Sequence, residues 1–323
     1  MPVSTRRELL ALPALALATR GARAQSPAWP ARQVRLVVGF ASGGANDIMA
    51  RLLAARYAPH FPGATFVVEN RPGAGTLLAA EFVARAAPDG HTLLYASTST
   101  LITSLVNRNA GINVPRDFAP IAMAQNSPLL LVSRPDFPAR TLAEVIALAK
   151  QRPLTVSHPG AGGINHLSLA VWMRQAGIEL TLVPYNGNQP SITALLRGDV
   201  DLASDSLFTP RSQLESGALR AIALTSARRM ASHPGVPTFA ETLPGYDVTF
   251  WGGLLAPKGT PEPILATLNR ATDAVLQEPE VAERVRSFGA DPIGGSRAFY
   301  VEAIQRDWQR WGEVVRDLNL RPD

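Results

Sequence analysis

Val34-Arg35-Leu36-Val37-Val38-Gly39-Phe40 runs into Ala41-Ser42-Gly43-Gly44-Ala45-Asn46-Asp47 and then into Ile48-Met49-Ala50-Arg51-Leu52-Leu53. The first run is short, apolar and β-branched, the pattern of a strand buried on both faces. The second is small, polar and glycine-rich, and reads as a turn. In the third, Ile48 with Leu52 and Met49 with Leu53 repeat at i,i+4, which predicts a helix. Asn46 or Asp47 is its expected N-cap. Strand, glycine turn and helix in this order form the unit of an α/β protein with a mostly parallel sheet.

The unit recurs along the chain. Thr65 to Glu69 reads as a strand, followed by Asn70-Arg71-Pro72-Gly73-Ala74-Gly75-Thr76 and a helix carrying Leu78, Phe82 and Val83. His91 to Ala96 is a third strand, ending in Ser97-Thr98-Ser99-Thr100. Leu129 to Ser133 reads as a strand leaving this block, and Thr141-Leu142-Ala143-Glu144 is a capping box opening a helix to about Lys150. Leu154 to Ser157 and Leu180 to Val183 are further strands, each followed by a loop and a helix. The second of those helices is expected to start at Pro190 and stop at Gly198. Val200 to Ala203 leads into Ser204-Asp205-Ser206, and Ala221 to Thr225 is one more strand.

Tyr246 to Ala256 reads as a strand returning to the first block, with helices beginning at Thr260-Pro261, at Pro279 and after Ser296. The last carries Phe299, Ile304, Trp308, Trp311, Val315 and Leu318 at near-helical spacing, which predicts core packing rather than a ligand box. Crossings near residues 126 and 246 divide the chain into a first domain, residues 25–126 plus 247–323, and a second, residues 127–246. A two-strand hinge joins them.

Residues 1–24 read as an export leader. Arg6 and Arg7 give a basic start, Leu9 to Ala18 an apolar stretch, and Ala22-Arg23-Ala24 an A-x-A cleavage site. The stretch is too short to span a bilayer and contains Pro13. Ser4 to Leu10 resembles a twin-arginine signal, and the general secretory route fits as well. The chain has no cysteine, which excludes disulfides, thiolate metal sites, a cysteine nucleophile and a lipidated cysteine anchor. The mature protein is therefore expected free in the periplasm. Removing the leader's four arginines and Glu8 lowers the formal charge from +5 to +2. The remaining arginines are scattered without interleaved aromatics, so no nucleic-acid partner is expected.

Glycine-rich turns between strand and helix leave backbone N–H groups free at a helix N-terminus, where the helix dipole favours an anion. Three such turns, Ser42 to Asp47, Gly73 to Thr76 and Gly160 to Asn165, predict anion capture beyond the carboxyl ends of the strands. None reads as a nucleotide motif: Asn165 stands where G-x-G-x-x-G needs its third glycine. Phe40-Ala41-Ser42-Gly43-Gly44 nearly matches the G-x-S-x-G elbow of serine hydrolases, with Asp205 and His233 completing the order. Phe40 replaces the glycine that the strained turn requires, and His233 sits in a turn composition, so enzyme chemistry is not expected. The five histidines form no H-x-x-x-H or H-E-x-x-H, and no metal or cofactor is expected.

Read together, Val37 to Asp47, Val68 to Gly75 (Val-Glu-Asn-Arg-Pro-Gly-Ala-Gly), Ala87 to Leu94 and Val183 to Gly187 resemble the Bug-type receptors of tripartite tricarboxylate transporters. So do Val236 to Glu241, Pro244-Gly245-Tyr246 and Leu254 to Pro261. The resemblance implies a two-lobed, type II periplasmic-binding-protein (Venus-flytrap) fold and a small organic carboxylate as ligand. It implies delivery to the transporter's membrane subunits by hinge closure, without covalent chemistry, and a monomeric receptor. A receptor reporting to a membrane sensor kinase would use the same flytrap.

In such receptors the ligand carboxylate is held by the first two glycine loops, partly through water. Position by position this points to Phe40, Ala41, Ser42, Gly43, Gly44, Asn46 and Asp47, and to Gly75, Thr76 and Leu77. Ser97 and Ser99 join them at the end of the third strand. The second lobe contributes Gly160, Gly163, Ile164, Asn165 and His166, then Tyr185, Asn186 and Gly187, and Asp205. Asp205 is the candidate acceptor for a ligand amine, hydroxyl or protonated acid, whereas Asp47 is expected to cap a helix. Thr76, Leu77 and Ala79 stand where the family has a glycine, an asparagine and a small residue, and Gly163-Ile164 where it has small polar residues. The pocket is therefore expected to take a monocarboxylate or aromatic carboxylate with its apolar end near Leu77 and Ile164, rather than citrate.

Overall fold

The computed structural model describes residues 29–318 apart from 108 and 110. The expected signal peptide, residues 1–24, lies outside the described residues. Among the described residues, ten strands and eleven α-helices follow the expected alternation. The first block contains β1 (Val34–Val38), α1 (Ala45–Arg56), β2 (Phe66–Asn70), α2 (Leu77–Ala84), β3 (Thr92–Ser97), α3 (Thr98–Val106) and α4 (Val114–Asp117). Then β4 (Phe118–Ser133) leads to α5 (Leu142–Ala149), β5 (Leu154–His158), α6 (Ile164–Ala176), β6 (Leu180–Pro184), α7 (Asn188–Arg197), β7 (Leu202–Ser206), α8 (Arg211–Glu215) and β8 (Arg220–Leu224). The chain closes with β9 (Thr249–Pro257), α9 (Glu262–Gln277), α10 (Pro279–Arg286), β10 (Asp291–Pro292) and α11 (Arg297–Asp317).

β1 pairs in parallel with β2 and β3, and β9 lies antiparallel between β3 and β4. A second sheet repeats the plan, with β5 parallel to β6 and β7, and β4 antiparallel to β7 and β8. β4 belongs to both sheets. Its first part pairs with β9 as far as Pro128↔Thr249, and Leu129 to Ser133 pair with β7. Only this last part has the apolar run of a strand in the sequence. Pro120 and Pro128 hid the rest, because proline cannot donate to a ladder and argues against a central strand. The register shifts between Pro120 and Ala122, and Pro128 stands where the strand changes sheet, so neither proline occupies a regular interior position.

Other differences have similar causes. Ser97-Thr98-Ser99-Thr100 read as a strand end, yet Thr98 begins α3, with the Ser97 N–H donating to Thr100 Oγ1 at 3.4 Å. Hydroxyl residues are weak helix formers inside a helix but good ones at its start. α7 begins at Asn188, two residues before Pro190, and ends as expected at Gly198 in the left-handed region. Asp205 lies within β7 rather than in a loop. The Thr141 capping box forms, with Thr141 Oγ1 accepting from the Glu144 N–H at 3.2 Å.

The first sheet is covered on one face by Met49 and Leu53 of α1 with Leu265, Leu268 and Val275 of α9. On the other face Ala80 and Val83 of α2, Leu101 of α3, and Ile304 and Trp311 of α11 pack in a cluster that continues to Leu167 and Trp172 of α6. Trp311 is buried as expected, but Phe299 and Leu318 are exposed. Ile192 and Leu195 of α7 close the far side of the second sheet. The carboxyl ends of β1 and β3 from one sheet, and of β5, β6 and β7 from the other, face one space.

Candidate ligand-binding cleft

That space is a cleft of about 1060 Å³. The starts of α1, α3, α6 and α7 all border it, through Ala45 and Asn46, Ser99, Ile164 and Asn165, and Asn188 and Gln189. The first N–H groups of a helix have no partner within it, so both sheets present donors and partial positive charge to the cleft.

The α1 end is fixed from behind. The N-cap position is Gly44, not Asn46 or Asp47. Asp47 lies in the first turn and is 2% exposed. Its carboxylate accepts from Gly43 N–H at 2.9 Å, Arg51 Nε at 3.0 Å and Asn70 Nδ2 at 2.8 Å. Burial alone would raise its pKa, but the bonds from Arg51, Gly43 and Asn70 together hold it below the ordinary value. Asn70 Nδ2 also donates to the Phe40 carbonyl at 3.0 Å, which ties the loop to β2. Asp47 thus shapes the loop without facing the cleft.

The next turn, Ala74–Thr76, is left-handed at Ala74, Gly75 and Thr76. A Cβ at Gly75 would meet Thr103 Cγ2 at 2.7 Å, so only glycine lets this turn sit against α3. Thr76 Oγ1 donates to Thr100 Oγ1 at 2.9 Å. Leu77 starts α2 and points into the core at 1% exposure, so it is not the apolar end of the cleft. Leu129, Val106, Phe208 and Phe250 supply apolar surface beside Ile164 instead.

The loop before α6 is built on two histidines. The His158 and His166 rings stack with centroids 5.1 Å apart and planes 8° from parallel. His166 Nδ1 accepts from the Gly162 N–H at 3.0 Å, so in the neutral ring the proton sits on Nε2 and makes it a donor. His158 Nδ1 pairs with the Gly160 carbonyl at 2.9 Å. Burial, followed by the neighbouring His166, lowers the His158 pKa to about 4 against the opposing Gly160 bond. Burial likewise lowers that of His166. Asn165 is spent inward, donating to the Ser204 carbonyl at 2.9 Å.

Of the residues expected at the site, Phe40, Gly43, Gly44 and Asn46 line the cleft, as do Gly75, Thr76, Ser97 and Ser99. Gly160, Gly163, Ile164, Asn165 and His166 line its other side. Ala41 and Ser42 are exposed beside it, and Tyr185, Asn186 and Gly187 stop one residue short, where Asn188 and Gln189 take over. Asp205 is fully buried behind the wall, with Asn188, Ser206 and Thr209 in front of it. Sequence reasoning missed these three as lining residues. The polar run after Gly187 is the available signal for Asn188, whereas Thr209 follows a strand that runs on to Ser206, beyond the apolar run ending at Ala203.

Ser42, Asp205 and His233 form no hydrogen-bonded triad: His233 Nδ1 pairs with Ser232 Oγ at 3.0 Å, and Asp205 is engaged elsewhere. Among the described residues no cluster of three histidine, cysteine or acidic side chains could hold a metal, and no helix is long and apolar enough to cross a membrane. A second hollow, of about 560 Å³, lies at the opposite ends of β1 and β3, where Arg32 and Arg85 are already paired with Asp89 and Glu81.

The family described as "Tripartite tricarboxylate transporter family receptor" matches residues 49–320. The chain belongs to this family of solute receptors. Three solved structures resemble the receptor over most of its length. The Rhodopseudomonas palustris protein Rpa4515, solved with adipate, is 35% identical with a TM-score of 0.81, covering 91% of this chain and 100% of its own. MatC from the same organism, solved with bound malate, is 35% identical with a TM-score of 0.76, covering 88% and 99%. The periplasmic binding protein BugD is 31% identical with a TM-score of 0.77, covering 91% and 100%. The receptor therefore has the two-lobed periplasmic-binding-protein fold, and its relatives are solute-binding proteins rather than enzymes.

Proposed function

We propose that the protein captures a small organic carboxylate between its lobes and delivers it to the membrane subunits of a tripartite tricarboxylate-type transporter. The observation that carries this reading is the convergence of four helix starts from two sheets on one cleft, with both nearby carboxylates, Asp47 and Asp205, occupied by protein donors. Such a site offers donors and positive potential to an anion and keeps its own negative charge turned away. Adipate and malate in the two R. palustris relatives support the ligand class.

The lobes of this reading are residues 25–126 plus 247–323 and residues 127–246, with β4 and β9 as the hinge. Ligand gains contacts from both lobes only when they close, so it raises the closed population. The leader at residues 1–24 would send the chain to the periplasm, where it acts as a monomer. The test is a thermal-shift and calorimetric panel of small carboxylates with their amides. A cognate acid at a hundred times its Kd is expected to stabilise the protein by about 2.7 kcal/mol, and its amide not at all. Equal binding of acid and amide overturns the reading.

A further inference from the structure

Four protein donors converge on a single carboxylate oxygen behind the second-lobe wall. Asp205 Oδ1 accepts from Asn188 Nδ2 at 2.5 Å, Ser206 N–H at 2.6 Å, Thr209 Oγ1 at 2.9 Å and Ser206 Oγ at 3.3 Å. Asp205 itself is fully buried, and its Oδ2 has no hydrogen-bond partner. Asn188, Ser206 and Thr209 stand in front of it and line the cleft.

The direction of these bonds decides what the cleft sees. An ionised carboxylate only accepts, so the Thr209 hydroxyl proton points at Asp205, away from the ligand space. The Ser206 hydroxyl lies 3.3 Å from Asp205 Oδ1 and 3.5 Å from Thr209 Oγ1. Since Thr209 has given its proton to Asp205, Ser206 is the donor in either contact. The Asn188 amide must turn its nitrogen to Asp205, which leaves its carbonyl oxygen on the other side. The Thr209 and Ser206 hydroxyls, which could each have donated to a ligand, are thereby set as acceptors, and Asn188 adds its carbonyl oxygen beside the one N–H that Asp205 does not take.

We infer that the wall formed by Asn188, Ser206 and Thr209 is an acceptor surface set by Asp205, and that the ligand is a carboxylate bearing a hydrogen-bond donor, a hydroxyl or amine, at its far end. This deepens the proposed function and rests on it: the starts of α1 and α3 take the carboxylate, and this wall reads the other end. A second carboxylate placed there would meet oxygen lone pairs, and a methyl end would leave the acceptors unpaired.

The test is calorimetry of the protein with matched short acids ending in a hydroxyl, a methyl or a second carboxylate, repeated with Asn188→Leu and Thr209→Val. Asn188 is exposed and valine matches threonine in shape, so both variants are expected to fold. At its best chain length the hydroxy acid is expected to bind about tenfold tighter than either counterpart, the worth of one such hydrogen bond. Each variant is expected to reduce that preference to about twofold or less while the methyl-ended acid keeps its affinity. Equal or tighter binding of the diacid or the methyl-ended acid overturns the inference and leaves carboxylate capture standing. So does a preference that both variants retain. Failure of every acid to bind overturns the proposed function, and the inference falls with it.

Discussion

His158 is 1% exposed and its ring lies against that of His166, so neither ring accepts a proton without losing a neutral, stacked partner. Its pKa of about 4 in the folded protein lies below the ordinary 6.5. Between these values the unfolded chain binds the proton and the folded one does not, so acidification removes stability across that window. Asp205 acts in the opposite sense. Burial, opposed by bonds from Asn188, Ser206 and Thr209, raises its pKa from 3.8 to about 6. The folded protein takes up this proton first, so stability from Asp205 is gained as pH falls through 6 and is complete below about 3.8. Urea denaturation from pH 7 to pH 4 separates the two. Wild type is expected to lose stability relative to His158→Asn as pH falls, and to gain relative to Asp205→Asn. Parallel curves for either pair would remove that residue from the account. The sequence marked Asp205 and the His166 that stacks on His158, but not their surroundings. The ring stack joins residues eight positions apart, across the turn between β5 and α6, and the Asp205 shell draws on Asn188 from another strand–helix unit.

At the scale of elements, the strand–turn–helix unit of β1 and α1 depends on a carboxylate in the first turn of the helix. Asp47→Ala leaves the Gly43 N–H, one Asn70 amide contact and Arg51 Nε without their acceptor, while Arg51 Nη2 keeps its bond to Asn70 Oδ1. It is expected to cost about 1–3 kcal/mol in urea denaturation and to weaken ligand binding by loosening the loop. Thr141→Ala, which breaks a capping box at the start of α5, is expected to cost about 1 kcal/mol with ligand affinity unchanged. Similar affinity losses in both variants would mean that the α1 loop has no special part in binding. The order of these units was legible because glycine turns and apolar runs are local signals. α3 and the first half of β4 were not legible. α3 rests on tertiary contacts such as the Trp251 N–H donating to Thr98 Oγ1 at 2.9 Å, and β4 tolerates its prolines only because of the register shift and the change of sheet.

For the whole molecule, the two proposed lobes also touch away from β4 and β9. Phe208, on the cleft wall, meets Phe288 edge-on at 5.8 Å, and Arg211 Nη1 donates to the Ser287 carbonyl at 2.8 Å. Gly289 lies against Leu207 so closely that a Cβ there would come within 2.4 Å of Leu207 Cβ, at a φ of +72° that also disfavours a side chain. Gly289→Ala should therefore hold this contact apart. Expected are a stability loss of about 1–3 kcal/mol and weaker binding of every ligand alike, seen by calorimetry as a uniform shift across the panel. A change confined to one ligand class would place Gly289 in recognition rather than in closure.

The paired register Pro128↔Thr249 sets the chain's exit to the second lobe beside its return. The intervening residues are thus an insertion whose two ends are clamped together by the first sheet. Under mechanical load applied at residues 29 and 318, tension would run through the first sheet and bypass the loop of chain beyond that clamp. The second lobe would feel no pull until β4 and β9 had parted, and the extension trace would record two ruptures in fixed order.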